Sequence, residues 1–300
     1  MASLDELDLR FRQYNAKYRI VTALHLKELQ EEIEDLNQSG KININIYNNY
    51  LHRFQFKRPK ENRNAQSVII IAIPQRISIA SFQLNDKKIK VVIPPTYIYR
   101  KSRKHCIDVL SKVFDNNSEI SKAVLPLKLL AAHSGLGRYG RNNICYIDKM
   151  GSFARLEAFY IEYQFDRDNW QDKEMLQQCK GCYRCVKNCP TKCIKNDDFV
   201  IDAGRCITNF NETEGDFPKE LNPKAHNALV GCMKCQVVCP VNHSFLKEKT
   251  IVETFTKEET DLILSNEPKA STHLTRKLKQ LDMDEYQTVL ARNLKALIKS

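Results

Sequence analysis

The sequence predicts an α+β protein in three parts: a mixed strand and helix domain over residues 1-170, a cysteine-rich module over 171-245 and a helical tail over 246-300. Three observations lead there. Short apolar runs alternate with stretches of helical spacing over roughly the first 165 residues, the pattern of strands and helices built around one sheet. Nine of the eleven cysteines lie between Cys179 and Cys239, because only Cys106 and Cys145 precede them. Finally, Lys257 to Leu264 and Ser271 to Ile298 are charged segments with helical apolar spacing. A length of 300 residues leaves room for one large or two modest hydrophobic cores.

In chain order, Tyr18 to Thr22 reads as a short strand. Ala23 to Leu36 reads as an amphipathic helix with Leu26, Leu29, Ile33 and Leu36 on one face, stopping near Gly40. The Asn-rich alternation Ile42 to Tyr50 has no clear assignment, and the basic run Arg53 to Arg63 reads as a surface loop. Ser67 to Pro74 is a continuous apolar run, as expected of a central strand buried on both faces. Ile77 to Leu84 and Ile89 to Ile93 flank the turn signal Asn85-Asp86 and read as a hairpin. Helical spacing returns over Ser102 to Phe114 and Ser121 to His133, with Pro126 marking an early turn or a kink. Gly135-Leu-Gly-Arg-Tyr-Gly140 breaks that helix. Ile144 to Ile147 and Phe153 to Tyr163 then read as strands on either side of the turn Met150-Gly151-Ser152.

No window approaches 18 consecutive apolar residues, and Met1 to Arg12 mixes acidic and basic positions without an apolar core or a twin-arginine pair. The expectation is therefore a cytoplasmic chain with neither a membrane span nor an export signal. In a reducing compartment, eleven cysteines point to metal binding or catalysis rather than to disulfides. The formal charge of +11 permits attraction to a polyanion such as RNA, although surface lysines also serve solubility.

The cysteine spacing carries the chemistry. Cys179-x2-Cys182-x2-Cys185-x3-Cys189-Pro190 has the form of the bacterial ferredoxin run, in which three thiolates on a tight loop grip one cubane and the fourth reaches a neighbouring cluster. Further on, Cys206 precedes Cys232-x2-Cys235-x3-Cys239-Pro240, the same motif with its first cysteine displaced. Four ligands plus four make two 4Fe-4S clusters. With crossed ligation, Cys179, Cys182, Cys185 and Cys239 hold one and Cys189, Cys206, Cys232 and Cys235 the other. Zinc also favours paired C-x2-C spacing, but explains neither the third cysteine at another x2 step nor the repeated Cys-Pro. Cys106, Cys145 and Cys193 are left outside the site, as small buried hydrophobes. Lys180, Arg184 and Lys187 interleave with the ligands; they either tune the cluster potential and dock an acidic electron donor, or form a solvated basic face.

With these motifs the chain resembles the epoxyqueuosine reductase family and its double-cluster relatives, which include the corrinoid reductive dehalogenases. The likeness runs through Asn64-Ala-Gln-Ser-Val-Ile-Ile-Ile-Ala-Ile-Pro74, Gly135-Leu-Gly-x-x-Gly140 with Asn142 behind it, Gly151-Ser152-Phe153, the first cysteine motif, Arg205-Cys206-Ile207 and Gly231-Cys-x-x-Cys-Gln-Val-Val-Cys-Pro-Val-Asn242. It covers about residues 60 to 245. The resemblance implies a nitroreductase-related α/β domain followed by a double-cluster ferredoxin-like module. It also implies a cobalamin over the glycine segment, with Gly135, Leu136, Gly137, Arg138, Gly140 and Asn142 as its contacts. The same glycines also suit a helix end turning into a strand.

This sequence departs from the family's pattern at several points. The family's tRNA-modifying enzymes carry a proton-donating aspartate before the helix that leads into the glycine segment. Here Ser121-Lys-Ala-Val-Leu-Pro126 has no acid, and Glu119 is out of register. Ile93-Pro-Pro-Thr-Tyr97 replaces a Tyr-Ala-Arg-Gly-Asp-Tyr-His type segment, and Arg138-Tyr-Gly-Arg-Asn-Asn143 differs from the usual Trp-Ile-Gly-Lys. Tyr97, His133 and Tyr139 are the alternative proton donors, each with a plain structural role open to it. The expected function is an iron-sulfur reductase that takes electrons from a low-potential donor such as ferredoxin or flavodoxin and acts on a small molecule or tRNA. The alternatives are an electron-transfer protein without chemistry of its own, an epoxyqueuosine reductase acting on tRNA, and a dehalogenase of small halocarbons.

Overall fold

The computed structural model describes residues 4-85, 87-114, 120-196 and 198-299. The chain is mixed α and β and divides into two compact units: residues 1-74, 100-182 and 195-202 form unit 1, and residues 75-99, 183-194 and 203-300 form unit 2.

Unit 1 is organised on the run Ser67–Pro74, the most apolar stretch of the chain. It pairs antiparallel with Lys17–Thr22 on one side and with Ala154–Ile161 on the other, where the short strand Ile120–Lys122 completes a four-stranded sheet. Side chains alternate across a strand, so a run apolar at every position needs cover on both faces. Val68, Ile70 and Ala72 pack with Leu26, Leu29 and Ile33 of the helix Leu26–Gln38 and with Leu129 and Leu130 of the helix Leu127–His133. Ile69, Ile71 and Ile73 pack on the opposite face with Leu7 and Phe11 of the helix Leu4–Arg12 and Val109 and Leu110 of the helix Arg100–Val113.

Local signals explain where unit 1 departs from expectation. The Asn-rich stretch holds a helix, Ile44–Asn49, because Asn43 caps it: its side-chain oxygen accepts from the backbone N-H of Asn45 at 3.0 Å and of Ile46 at 3.4 Å. The helix expected over Ser121 to His133 starts only at Leu127. Pro126 disfavours helical backbone at the residue before it, and Ile120–Lys122 is taken up instead as a sheet edge. Glu119 and Asp86 lie outside the described residues.

Unit 2 contains the hairpin of Ile77–Leu84 and Lys87–Ile93, joined through Asn85 at φ 37°. A strand absent from the sequence reading, Lys249–Phe255, adds to it in parallel. Its alternation is masked by charge, and its partner lies some 170 residues away in sequence, beyond the reach of local pattern reading. Phe255 stacks on Phe82 with ring centroids 4.7 Å apart, and Leu274, Leu278, Leu290 and Leu294 close the same core. The helix Lys257–Leu264 opens with a reciprocal capping box between Thr256 and Glu259. The expected long helix from Ser271 to Ile298 is broken: Thr272–Gln280 ends before Asp282, which adopts left-handed backbone at φ 57°, and Gln287–Lys299 follows a short turn. No described helix is long and apolar enough to cross a membrane.

Ile69 and Ile70 are fully buried on opposite faces of one strand. Ile69→Ala and Ile70→Ala should each destabilise the protein by about 2–5 kcal/mol in urea unfolding. Leu24→Ala, at a side chain 74% exposed, should stay within about 0.5 kcal/mol.

Candidate metal centre

The boundary between the units falls within the first cysteine motif, with Cys179 and Cys182 in unit 1 and Cys185 and Cys189 in unit 2. None of the eleven cysteines is disulfide-bonded. In unit 1 the short turn Gln177–Cys179 leads into Gly181, whose φ of +70° turns the chain between two cysteines. The backbone N-H of Arg141 donates to Cys179 Sγ at 3.4 Å, and its guanidinium donates to the Cys179 carbonyl at 3.1 Å. A cavity of about 360 Å³ opens beside them, lined by Arg141, Leu176, Cys179, Lys180, Asp198 and Phe199.

In unit 2 the two motifs form matching turns. Cys185 lies in the helix Arg184–Asn188 and Cys235 in the helix Lys234–Val237. Asn188 ties them together by donating to the carbonyl of Lys234 at 2.8 Å. Cys232 Sγ accepts from the Asn227 amide at 3.2 Å and from the backbone N-H of Lys234 at 3.5 Å. These N-H donors favour the thiolate that iron requires, although burial outweighs them at Cys232 and pushes its thiol up; as N-H groups on sulfur the donor set fits cluster ligation. Around Cys239, a cavity of about 430 Å³ has a basic rim of Arg184, Lys187 and His243.

Cys193, expected outside the ligand set as a small buried hydrophobe, is buried in unit 2 beside Cys189. Its Sγ lies 3.5 Å from that of Cys189. The bond to Cys193 holds Cys189 down, to about 5, while the same bond pushes the Cys193 thiol up. Its position four residues after Cys189, in Cys-Pro-Thr-Lys-Cys, is the one signal the sequence offered.

Beyond the cysteines, unit 2 buries a pair that motif reading missed. The Tyr97 hydroxyl donates to Glu212, at the end of the helix Ile207–Glu212 that follows Cys206. Desolvation pushes the Glu212 carboxyl up to about 7, against the pull of the Tyr97 bond. Burial, followed by the charge of Glu212, raises the Tyr97 phenol well above its ordinary range and keeps it neutral. Tyr97 also fills the space beside Gly231, where an added Cβ would come within 2.2 Å of its hydroxyl. Glu212 is a lone acid in an unremarkable hexapeptide, and only the fold reveals its burial.

The other two protic candidates are built into unit 1. His133 Nδ1 donates to the carbonyl of Gln171 at 2.9 Å, and its Nε2 meets Glu32 at 2.8 Å. Trp170 is sandwiched between His133 at 4.5 Å and His25 at 4.3 Å. Tyr139 is a core aromatic against Phe199, with ring centroids 4.7 Å apart.

The glycine segment is a helix end followed by a hairpin. Gly135 takes left-handed backbone, φ +63°, after the helix Leu127–His133, and Gly137–Tyr139 pairs with Cys145–Ile147. A Cβ on Gly137 would lie 2.5 Å from Cys145 Sγ, and one on Gly140 would lie 2.5 Å from the Tyr146 ring. Leu136 is buried in the core, Arg138 pairs with Glu174 at 2.6 Å, and Asn142 donates to the Tyr146 hydroxyl at 3.0 Å. The closeness these glycines allow is to the protein's own side chains. As a cobalamin cradle the segment does not fit.

Comparison with known proteins agrees with the cysteine chemistry. Residues 178–242 match the 4Fe-4S double cluster binding domain, which makes this a double-cluster iron-sulfur protein. Epoxyqueuosine reductase of Lactococcus garvieae is 30% identical over 149 residues, 49% of this chain and 41% of that protein. The Escherichia coli enzyme is 30% identical over 141 residues, 47% of this chain and 35% of its own length. The matched stretches thus span between about a third and two fifths of these relatives. Epoxyqueuosine reductase from Streptococcus thermophilus shares the fold, with a TM-score of 0.65 at 18% identity over 100% of this chain and 84% of that one. An epoxyqueuosine reductase solved with a modified tRNA-Tyr stem loop does so at a TM-score of 0.61 and 18% identity, over 98% and 84%. The chain resembles the epoxyqueuosine reductase family.

Burial of Glu212 has a consequence for stability. Between the ordinary 4.5 and about 7 the unfolded chain ionises this carboxyl while the folded protein keeps its proton. Folding stability therefore falls as pH rises through that window and levels off above it, by roughly 3 kcal/mol at most. Unfolding midpoints of the wild type and Glu212→Gln, measured from pH 4 to 8, should converge at the acid end and separate in favour of the variant toward neutrality. A pH-independent difference would contradict this assignment.

Proposed function

We propose that this chain is an iron-sulfur oxidoreductase in which Cys179, Cys182, Cys185 and Cys239 hold one 4Fe-4S cluster and Cys189, Cys206, Cys232 and Cys235 the other. The match of residues 178–242 to a double-cluster domain is the observation that carries the reading. In this view residues 1-170 supply most of a nitroreductase-related substrate domain and 171-245 the ferredoxin-like electron module, while residues 246-300, with the strand Lys249–Phe255 and the helices after it, pack with residues 75-99 in unit 2. The clusters supply one-electron transfer when bound. The chain's own residues hold them, donate N-H groups to their sulfurs at Cys179 and Cys232, and offer the basic rim of Arg184 and Lys187 to an acidic low-potential donor such as ferredoxin or flavodoxin.

The likeness to epoxyqueuosine reductases and the charge of +11 support a modified tRNA base as the substrate. Against it stands the segment Ser121 to Pro126, which has no acid where the family's proton donor is expected. Tyr97 is then the preferred proton donor of the three, because its hydroxyl is hydrogen-bonded to Glu212, a second protonatable group that could replace the proton. His133 and Tyr139 are held in place by the core of unit 1. The second reading is an electron-transfer protein that acts on no substrate itself. It is favoured by the filled glycine segment, which leaves the family's corrinoid without the contacts expected for it.

Anaerobic reconstitution with iron, sulfide and cobalamin, followed by metal counting and a visible spectrum before and after dithionite, separates these readings. About eight irons per chain is the expected result, and substantially fewer would contradict the cluster assignment. Retained cobalt with a corrin band that shifts on reduction would assign a corrinoid reductase with contacts outside the glycine segment. Eight irons without cobalt would favour an electron carrier or a reductase with another acceptor.

A further inference from the structure

We propose that Trp170 and the histidines on its two faces form a pH-sensitive clamp, which pins the strap over residues 167-174 to unit 1 when both rings are charged and frees it when they lose a proton. The inference concerns unit 1 alone and needs neither cluster nor substrate.

The strap has no regular secondary structure, so side chains must hold it. Asn169 ties it to the strand Lys17–Thr22, with its N-H on the Ile20 carbonyl at 2.8 Å and its side-chain oxygen accepting from the Ile20 N-H at 3.0 Å. Trp170 then lies between His25 and His133, nearly parallel to both rings, at 5° and 11°. Its indole N-H donates to Glu28, on the helix Leu26–Gln38, at 2.9 Å.

Every ring nitrogen of the two histidines meets an acceptor. His25 Nδ1 faces Glu28 at 2.5 Å, and its Nε2 faces Asp168 at 2.8 Å. His133 Nδ1 faces the Gln171 carbonyl at 2.9 Å, and its Nε2 faces Glu32 at 2.8 Å. Neutral imidazole has one N-H and one lone pair, so it satisfies one such contact and sets its lone pair against an oxygen at the other. Only the imidazolium donates to both. Over the face of Trp170 that cation is also attracted by the negative ring surface. The two side chains are 18% and 12% exposed, which limits the water that could replace a lost bond.

Charge balance depends on the same protons. His25, His133 and Lys173 stand against Glu28, Glu32 and Asp168, with Lys173 on Glu32 at 2.9 Å. The His25 bond holds the Glu28 carboxyl below its ordinary range. Burial raises Glu32, but bonds from His133 and Lys173 bring it down. These carboxylates therefore keep their charge toward acid pH, while histidine is the side chain that changes charge between about pH 5 and 8. Loss of both imidazolium protons leaves Lys173 alone against three carboxylates. The clamp is thus complete at the acid end of that range and opens as pH rises. Opening stops at Glu174, whose carbonyl accepts from the Tyr139 N-H at 3.0 Å, a bond that does not titrate.

Trp170 is the single tryptophan of the chain, so its fluorescence reads the clamp directly. The experiment is acrylamide quenching of Trp170 in the full chain from about pH 5.5 to about 8.5, with circular dichroism to confirm folding. The quenching constant of the wild type should rise about twofold or more across that range as the strap opens. In His25→Phe/His133→Phe, which keeps a ring on each face of Trp170 without a titrating group, it should stay level. Asp168→Asn/Glu32→Gln should also flatten the rise, because each amide can donate to the neutral ring, and this pair decides if the phenylalanine variant fails to fold. A level response in the wild type, or the same rise in the variants as in the wild type, would overturn the proposal.

Discussion

Coordination of sulfur to iron is the interaction on which the cysteine-bearing segments depend. The helices Arg184–Asn188 and Lys234–Val237 have five and four residues. Helices that short are far from stable in water, because the cost of nucleation is not recovered over so few hydrogen bonds. Around them the chain runs in turns, held by N-H groups on sulfur and by the Asn188 amide on the carbonyl of Lys234. A segment with so little secondary structure gains order chiefly from the metal it binds, so that cluster binding and local folding become one equilibrium.

Both units nonetheless have hydrophobic cores of their own. In unit 1 the strand Ser67–Pro74 is apolar on both faces, with two helices packed on each. In unit 2 the hairpin from Ile77 to Ile93, the strand Lys249–Phe255 and the last three helices enclose Phe82, Phe255 and Leu290. The cysteine turns are thereby anchored to elements that fold by ordinary burial of apolar surface. Cys206 leads directly into the helix Ile207–Glu212, whose Asn211 bonds the carbonyl of Gly231, next to Cys232. Thus a buried amide links the two chain segments that bring in these ligands.

Much of this was legible in the sequence. The apolar run at Ser67, the hairpin at Ile77 and the helix at Leu26 follow from periodicity and burial. The cysteine spacing pointed to two clusters, and residues 178–242 match a double-cluster domain. Other features depend on contacts made at long range. Lys249–Phe255 becomes a strand by parallel pairing with a segment far back in the chain, and Asp282 breaks a helix that apolar spacing had made continuous. The glycines at 135, 137 and 140 serve a helix end and a tight hairpin, a role that composition could not separate from ligand binding. Glu212 carries no local motif at all, and burial beside Tyr97 gives it its chemistry; for Cys193 the one signal is its place four residues after Cys189, which the return of the chain through Lys192 turns into a sulfur contact.

Crossed ligation is the central claim, because it joins the two cysteine motifs into one electron relay. Electron paramagnetic resonance of dithionite-reduced Cys182→Ala, Cys235→Ala and Cys239→Ala tests it most directly. Crossed ligation predicts that Cys239→Ala and Cys182→Ala leave the same remaining cluster signal, distinct from that of Cys235→Ala. If Cys239→Ala instead matches Cys235→Ala, each motif holds its own cluster and the crossed arrangement is wrong.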